Sequence, residues 1–214
     1  MNPDFQKVID AKETDRRDLF LTAANRLGTP IQNVEKDFWV CWTLDVLFNG
    51  LPEGPRLLFK GGTSLSKGFG LISRFSEDID ITVFREDIGQ PASIEELEGL
   101  SGKKRRARLD AIRSACQAYI SGPLVANLSR VAGQALQAAG MSEERCRIEL
   151  DKSDETGQSL LFWYPTVMET SLEYVRSAVK IESGAKSALD PHQAVTITPY
   201  VTTDLPTWIS ESRG

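Results

Sequence analysis

The stretch that most constrains the fold runs from Leu57 to Phe84, where a glycine-rich turn is followed by two closely spaced aspartates. Leu57-Leu58-Phe59 is a short apolar run that ends at Gly61-Gly62, a pattern typical of a buried strand entering a tight turn. Thr63 and Ser64 then supply hydroxyls where a short helix is expected to begin. A helix N-terminus behind two glycines presents backbone N–H groups to a phosphate, so the turn is a candidate phosphate site.

The second half of this stretch carries paired carboxylates. Residues 78–83 read Asp-Ile-Asp-Ile-Thr-Val, which is the period-two pattern of a strand with one apolar face. Asp78 and Asp80 therefore point to the same side. Two such carboxylates repel each other unless a cation lies between them, which suits Mg²⁺ with nucleotide phosphates. An isolated Asp-x-Asp is more often a solvated strand face, but the preceding glycine turn favours metal binding.

Composition excludes several classes of protein. The net charge of −5 over 214 residues argues against a general nucleic-acid coat protein, although it leaves local phosphate recognition open. The apolar stretches are too interrupted to span a membrane and the N-terminus is too polar for a secretory signal, so we expect a cytoplasmic protein with no membrane partner. Three separated cysteines are expected to be reduced and mostly buried, and the single histidine, His192, is expected in a loop rather than as a ligand.

Helical periodicity dominates the first fifty residues. A helix is predicted over Asp15–Leu27, and a core helix is predicted over Asn33–Phe48 with Asn33 as a candidate cap. The second helix contains Glu35-Lys36-Asp37, for which two interpretations remain open. These residues are either a solvated charge cluster at a helix start or, through Lys36 or Asp37, a border of a nucleotide pocket.

The middle of the chain combines an acidic stretch with a basic one. Residues 85–101 are expected to form a mobile connection. The run Lys103–Arg108 opens a long helical region that is expected to break near Ser121-Gly122-Pro123 and to resume up to Gly140. This run is either a solvated helix face or a surface for an RNA backbone or a triphosphate tail.

The final third is rich in strand patterns. Strands are predicted over residues 145–151, 159–164, 178–182 and 195–201, and they are expected to extend one sheet. Within the third of these, Lys180 and Glu182 face the same way while Val179 and Ile181 pack into the core. Taken alone, Lys180 and Glu182 would be read as a surface ion pair of little energetic weight.

Several of these motifs together resemble a known family. A glycine turn, a short helix and Asp-x-Asp on the next strand resemble the nucleotidyltransferase fold of the DNA polymerase beta superfamily. Residues 60–64 and 74–80 are more narrowly similar to the AbiEii/AbiGii-type toxins, which are relatives of the MenT toxins. Residues 35–37, 179–182, 184–187 and 197–200 also resemble that family. The resemblance covers about residues 19–201 discontinuously and implies an α/β (α+β) fold with a mixed β-sheet flanked by helices.

The resemblance also implies an activity. It is Mg²⁺-dependent transfer of a nucleotidyl group from a nucleoside triphosphate to an RNA acceptor, the 3′ end of a tRNA. The setting is a type IV-like toxin–antitoxin or abortive-infection system with a cognate antitoxin. Two-metal transfer needs a third carboxylate, and by resemblance this is Glu182, beside metal ligands Asp78 and Asp80 and a charge-neutralising Lys180. The implied nucleotide-binding residues are Lys60, Gly61, Gly62, Thr63, Ser64, Arg74 and Ser76.

We expect a single nucleotidyltransferase domain over residues 1–214. Its parts are N-terminal helices 1–50, a catalytic strand-turn-helix-strand 55–84, a helical insertion at about 101–140 and C-terminal strands at about 145–201. Family members commonly continue into a C-terminal helical region that this sequence is expected to lack. Two other functions remain open: transfer to a hydroxyl of a small molecule or protein, and an inactive module that binds a nucleotide or a partner.

Overall fold

A five-stranded mixed β-sheet is the centre of the fold. The computed structural model describes residues 2–71, 78–168, 177–185 and 193–205. The strand order is β1-β2-β5-β4-β3, and helices flank the sheet, as expected from the sequence. The strands are β1 (Leu57–Lys60), β2 (Asp78–Val83), β3 (Arg147–Leu150), β4 (Ser159–Trp163) and β5 (Ala178–Gly184).

The pairing of β2 with β5 positions the charged residues. β2 runs antiparallel to β1 and parallel to β5, whereas β5, β4 and β3 pair antiparallel. Ile79, Ile81 and Ile181 point to the apolar face and are fully buried. The opposite face of the same strands carries the acidic and basic residues. β1 is half-buried, so the expectation of a buried strand there is wrong, because an edge strand has a neighbour on one side only.

The described helices are α1 (Pro3–Asp10), α2 (Glu13–Leu27), α3 (Ile31–Asp45), α4 (Gly61–Thr63), α5 (Ile94–Gly99), α6 (Gly102–Tyr119) and α7 (Val125–Ala138). Those expected from periodicity, α2, α3 and the α6–α7 region, begin and end close to the predicted bounds. π-helical turns continue three of the helices: Val46–Gly50 after α3, Ser64–Gly68 after α4 and Ile120–Leu124 after α6. No helix within the described ranges is long and apolar enough to cross a membrane.

α3 is the central helix of the core. Trp39 stacks on Tyr164 with 5.6 Å between ring centroids, and the Trp42 ring lies 5.4 Å from that of Phe162. These contacts place one aromatic layer of α3 against the apolar face of β4 and its continuation, which buries large apolar areas. The predicted core helix is therefore confirmed, but Asn33 is not its cap, because the helix already begins at Ile31 after Pro30.

The middle of the chain is more regular than the sequence predicts in two places, and the expected break near residues 121–123 is wrong. Residues 85–101 contain α5, which is stabilised by a capping box in which Ser93 and Glu96 each accept a hydrogen bond from the other's backbone N–H. The long helical region does not break at residues 121–123. A π-helical turn that includes Pro123 joins α6 to α7, and such a turn accommodates a residue that has no N–H.

The predicted strand at residues 195–201 is also wrong. Residues 193–199 belong to no strand, and Tyr200–Asp204 forms a 3₁₀ turn. Pro199 cannot donate to a sheet ladder, and the backbone N–H of Tyr200 donates instead to Asp37 Oδ2 at 2.7 Å. We call residues 193–205 the C-terminal strap. The described C-terminal strands therefore end at Gly184 rather than near residue 201.

Candidate active site

The glycine turn lies directly against the carboxylate strand. Gly61 has φ +73°, and a Cβ built on it would lie 1.8 Å from Asp80 Oδ2. No other residue type fits there without moving Asp80. The Thr63 hydroxyl, expected to cap the following helix, instead donates to the carbonyl oxygen of Asp78. The short helix is thus tied to the first residue of β2.

The predicted carboxylates share one face of neighbouring strands. Asp80 is paired in register with Glu182 on β5 and with Lys60 on β1. Directly paired residues point to the same side of a sheet, so these three side chains form a row across three strands. Asp78 precedes Asp80 by two residues and is paired with Lys180. The structure thus brings together five of the predicted site residues on one face of the sheet.

The two acids in this row, Asp80 and Glu182, repel each other. Partial burial raises the pKa of Asp80, and the negative charge of Glu182 raises it further, while Lys60 and Lys180 oppose this rise. The Lys180 ammonium lies 2.6 Å from Glu182 Oε1 and 3.8 Å from Asp151 Oδ2. The hydrogen bond to Glu182 is the main reason that the pKa of Lys180 is raised. The Lys180 ammonium therefore already neutralises the negative charge of the Glu182 carboxylate.

These side chains do not form a ready-made metal cage. Among the residues that the structure describes, no three carboxylate, imidazole or thiol groups are grouped closely enough to hold a metal ion. The donor set nevertheless fits a hard divalent cation, because Asp78, Asp80 and Glu182 offer carboxylate oxygens on one sheet face and Asp80 and Glu182 repel each other.

Not every predicted site residue falls within the described ranges. Arg74 and Ser76 lie outside them, as do His192 and the Lys-Ser pair at 186–187. Gly62 follows Gly61 in the first turn of α4, and Ser64 begins the next turn with only 6% of its surface exposed. The basic run at the start of α6 is exposed from residue 103 to residue 107. Arg108 is half-buried and donates to Gln90 and to the carbonyl oxygen of Pro91.

The charge cluster in α3 is buried rather than solvated. Glu35, Lys36 and Asp37 are 1%, 5% and 1% exposed, so the interpretation of a solvated helix face is wrong. Glu35 accepts hydrogen bonds from the Thr166 hydroxyl and from the backbone N–H of Val167, both at 2.7 Å.

Asp37 in the same cluster forms an ion pair with Lys67. Burial raises the pKa of Asp37, and the charge of Lys67 opposes this. The apolar residues on both sides of the cluster, Val34 and Phe38-Trp39, are the sequence signal that could have revealed its burial.

Comparison with known proteins identifies the family. A family model described as "Nucleotidyl transferase AbiEii toxin, Type IV TA system" matches residues 45–210. No curated protein and no solved structure gave a significant match. The matched range spans most of the chain and contains all five strands and the glycine turn. The chain therefore belongs to the AbiEii nucleotidyltransferase toxin family of type IV toxin–antitoxin systems.

Proposed function

We propose that this chain is a Mg²⁺-dependent nucleotidyltransferase that passes a nucleotidyl group from a nucleoside triphosphate to a hydroxyl of RNA. Family membership supports the reaction class. The observation that carries the residue assignment is the pairing of Asp80 with Glu182 across the parallel strands β2 and β5. Two acids that face each other beside a glycine turn are suited to hold cations next to phosphates.

Asp78, Asp80 and Glu182 are the residues that would hold the metal ions. Bound there, divalent cations would neutralise phosphate charge and lower the pKa of the attacking hydroxyl. Lys60, which is opposite Asp80, and Lys180, which contacts Glu182, would balance the triphosphate charge. The triphosphate would bind at Gly62, Thr63 and Ser64, because the first N–H groups of a helix have no partner within the helix. Arg74 and Ser76 join the nucleotide site by resemblance alone.

The acceptor that we propose is the 3′ end of a tRNA. The exposed run Lys103–Ala107 supports a polyanionic acceptor, since a local basic patch is sufficient to attract an RNA backbone to an acidic protein. A cognate antitoxin is the protein partner that a type IV toxin–antitoxin family implies. We also propose a cytoplasmic location, where nucleoside triphosphates and tRNA are present, and a role in abortive infection.

Incubation with labelled triphosphates distinguishes the possible activities. Wild type, Asp80→Asn and the surface control Asp10→Asn would each receive the four α-labelled triphosphates, Mg²⁺ and total RNA, and the products would be separated by size. We expect label in tRNA-sized RNA with wild type and Asp10→Asn but not with Asp80→Asn. Label in small molecules or protein would identify the other acceptor class. Triphosphate binding without any labelled product would identify an inactive module.

A further inference from the structure

A buried ion pair connects the glycine turn to two distant parts of the chain. The Asp37 side chain on α3 is 1% exposed and pairs with Lys67, whose side chain is 7% exposed. The Lys67 ammonium also lies 3.5 Å from the centroid of the Tyr200 ring and 3.4 Å from the carbonyl oxygen of Thr198. Asp37 accepts the backbone N–H of Tyr200 at 2.7 Å. Each charge therefore has partners from two other segments, as a buried charge requires.

Lys67 lies in the helical turn that directly continues α4. At the front of this short helix, the Thr63 hydroxyl is bonded to the carbonyl oxygen of Asp78. At the back, Lys67 binds α3 and the strap. Val195 of the strap also packs closely against Gly68, where a Cβ would lie 3.1 Å from Val195 Cγ2. The helix that carries the glycine turn is thus held at both ends.

The strap is itself fastened at its far end. Arg26 on α2 donates to both carboxylate oxygens of Asp204, at 2.6 to 3.1 Å, and to the carbonyl oxygen of Tyr200 at 2.9 Å. Tyr200 is therefore held from the α2 side as well as by Asp37. The cation–π contact between Lys67 and Tyr200 links the anchored strap to the helix that carries the glycine turn.

We propose that Asp37 and Lys67, with Tyr200 of the strap, are positioning residues that set the glycine turn for the triphosphate. A buried ion pair contributes little net stability compared with apolar residues of similar size, whereas it fixes the orientation of its partners. The orientation fixed here is that of Gly61 to Ser64 relative to Asp80. The proposal rests on the proposed function, since it assumes that a triphosphate binds at this turn.

Neutral variants of the pair separate positioning from folding. Lys67→Met keeps the apolar stem, and Asp37→Asn keeps an acceptor for the Tyr200 N–H. Each single variant leaves one buried charge without its partner and is expected to lose stability, whereas the double variant leaves none and is expected to recover it. We expect the KM for the triphosphate to rise at least about tenfold in both single variants and to stay raised in the double variant. Lys67→Arg keeps the positive charge and is expected to retain most of the wild-type affinity for the triphosphate.

The experiment measures thermal unfolding, transfer kinetics and binding of a non-hydrolysable triphosphate with Mg²⁺ by calorimetry. Lys7→Met, which removes a half-buried lysine paired with Asp4 on α1 and remote in sequence from the glycine turn, is the control and is expected to leave the KM unchanged. A double variant that regains both stability and wild-type triphosphate affinity would overturn the positioning role. Wild type that binds no triphosphate would overturn the proposed nucleotide site as well, so the two failures are distinct.

Discussion

The carboxylate of Asp80 lies against Gly61 so closely that a Cβ at position 61 would sit 1.8 Å from Oδ2 and 2.5 Å from Cγ. The turn that we propose to bind phosphate and the strand that we propose to bind metal are therefore in direct contact. A side chain at position 61 has no room unless Asp80 moves away from its place opposite Glu182.

Gly61→Ala is accordingly expected to reduce nucleotide transfer by about 100-fold or more, because a displacement of about 1 Å at a reacting centre has an effect of that size. The strain of an alanine at φ +73° and the displacement of Asp80 should together reduce the free energy of unfolding by about 1 to 3 kcal/mol. Transfer assays and urea unfolding of the same preparations measure the two effects.

Gly28→Ala is the matched control for this variant. Gly28 has φ +62°, and a Cβ built there would meet nothing within 4 Å. The backbone strain should therefore be similar and the transfer rate unchanged. Equal loss of activity in the two variants would show that strain, rather than displacement of Asp80, is responsible.

Two buried threonines near the site should respond in opposite ways to the same substitution. The Thr63 hydroxyl donates to the carbonyl oxygen of Asp78, so Thr63→Val should lower the free energy of unfolding by about 1 to 2 kcal/mol. The Thr82 hydroxyl is buried and has no hydrogen-bond partner within the described ranges, so Thr82→Val should be neutral or stabilising by up to about 1 kcal/mol. Urea unfolding measures both. Destabilisation by Thr82→Val equal to that by Thr63→Val would contradict these hydrogen-bond assignments.

The anchor of the strap should make stability depend on pH. The hydrogen bond from Arg26 holds the pKa of Asp204 below its usual value. Since the unfolded chain has the ordinary pKa of about 3.9, the pair stabilises the fold above that pH, and the contribution is lost as the pH falls through the folded pKa. The difference in urea midpoint between wild type and Asp204→Asn should therefore be largest near neutral pH and should shrink below about pH 4. Arg26→Gln should behave similarly. A difference that does not change with pH would contradict this role of the pair.

Local patterns predicted the individual strands better than their arrangement. Alternation alone places Asp78 and Asp80 on one face of β2, and likewise Lys180 and Glu182 on one face of β5. That Asp80 stands opposite Glu182 depends on a parallel register between distant segments, which no local pattern contains. Glu182 was predicted from the requirement of the chemistry for a third acid, together with the resemblance of residues 179–182 to the toxin family.

Two of the expectations that are wrong share one physical cause. A charge run such as that at residues 35–37 is usually solvated, which favours a solvated helix face. Its partners Lys67, Thr166 and Tyr200 are remote in sequence, so no local pattern predicts its burial. The strand predicted at residues 195–201 does not form for the same reason. The backbone N–H of Tyr200 donates to the distant Asp37 carboxylate rather than to a neighbouring strand. Long-range pairing of buried charges overrides local propensity in both places.

The most direct test compares transfer of labelled nucleotide to RNA by wild type, Asp80→Asn, Glu182→Gln and the double variant, all with Mg²⁺ in excess. If the two carboxylates act on the same metal ions, each single variant should lose at least about 1,000-fold in rate and the double variant should lose little more, because residues that act as a unit are not additive. Circular dichroism and urea unfolding would show that all four proteins are folded. Wild-type transfer by Asp80→Asn, or by Glu182→Gln, would contradict the assignment of these residues to the active site.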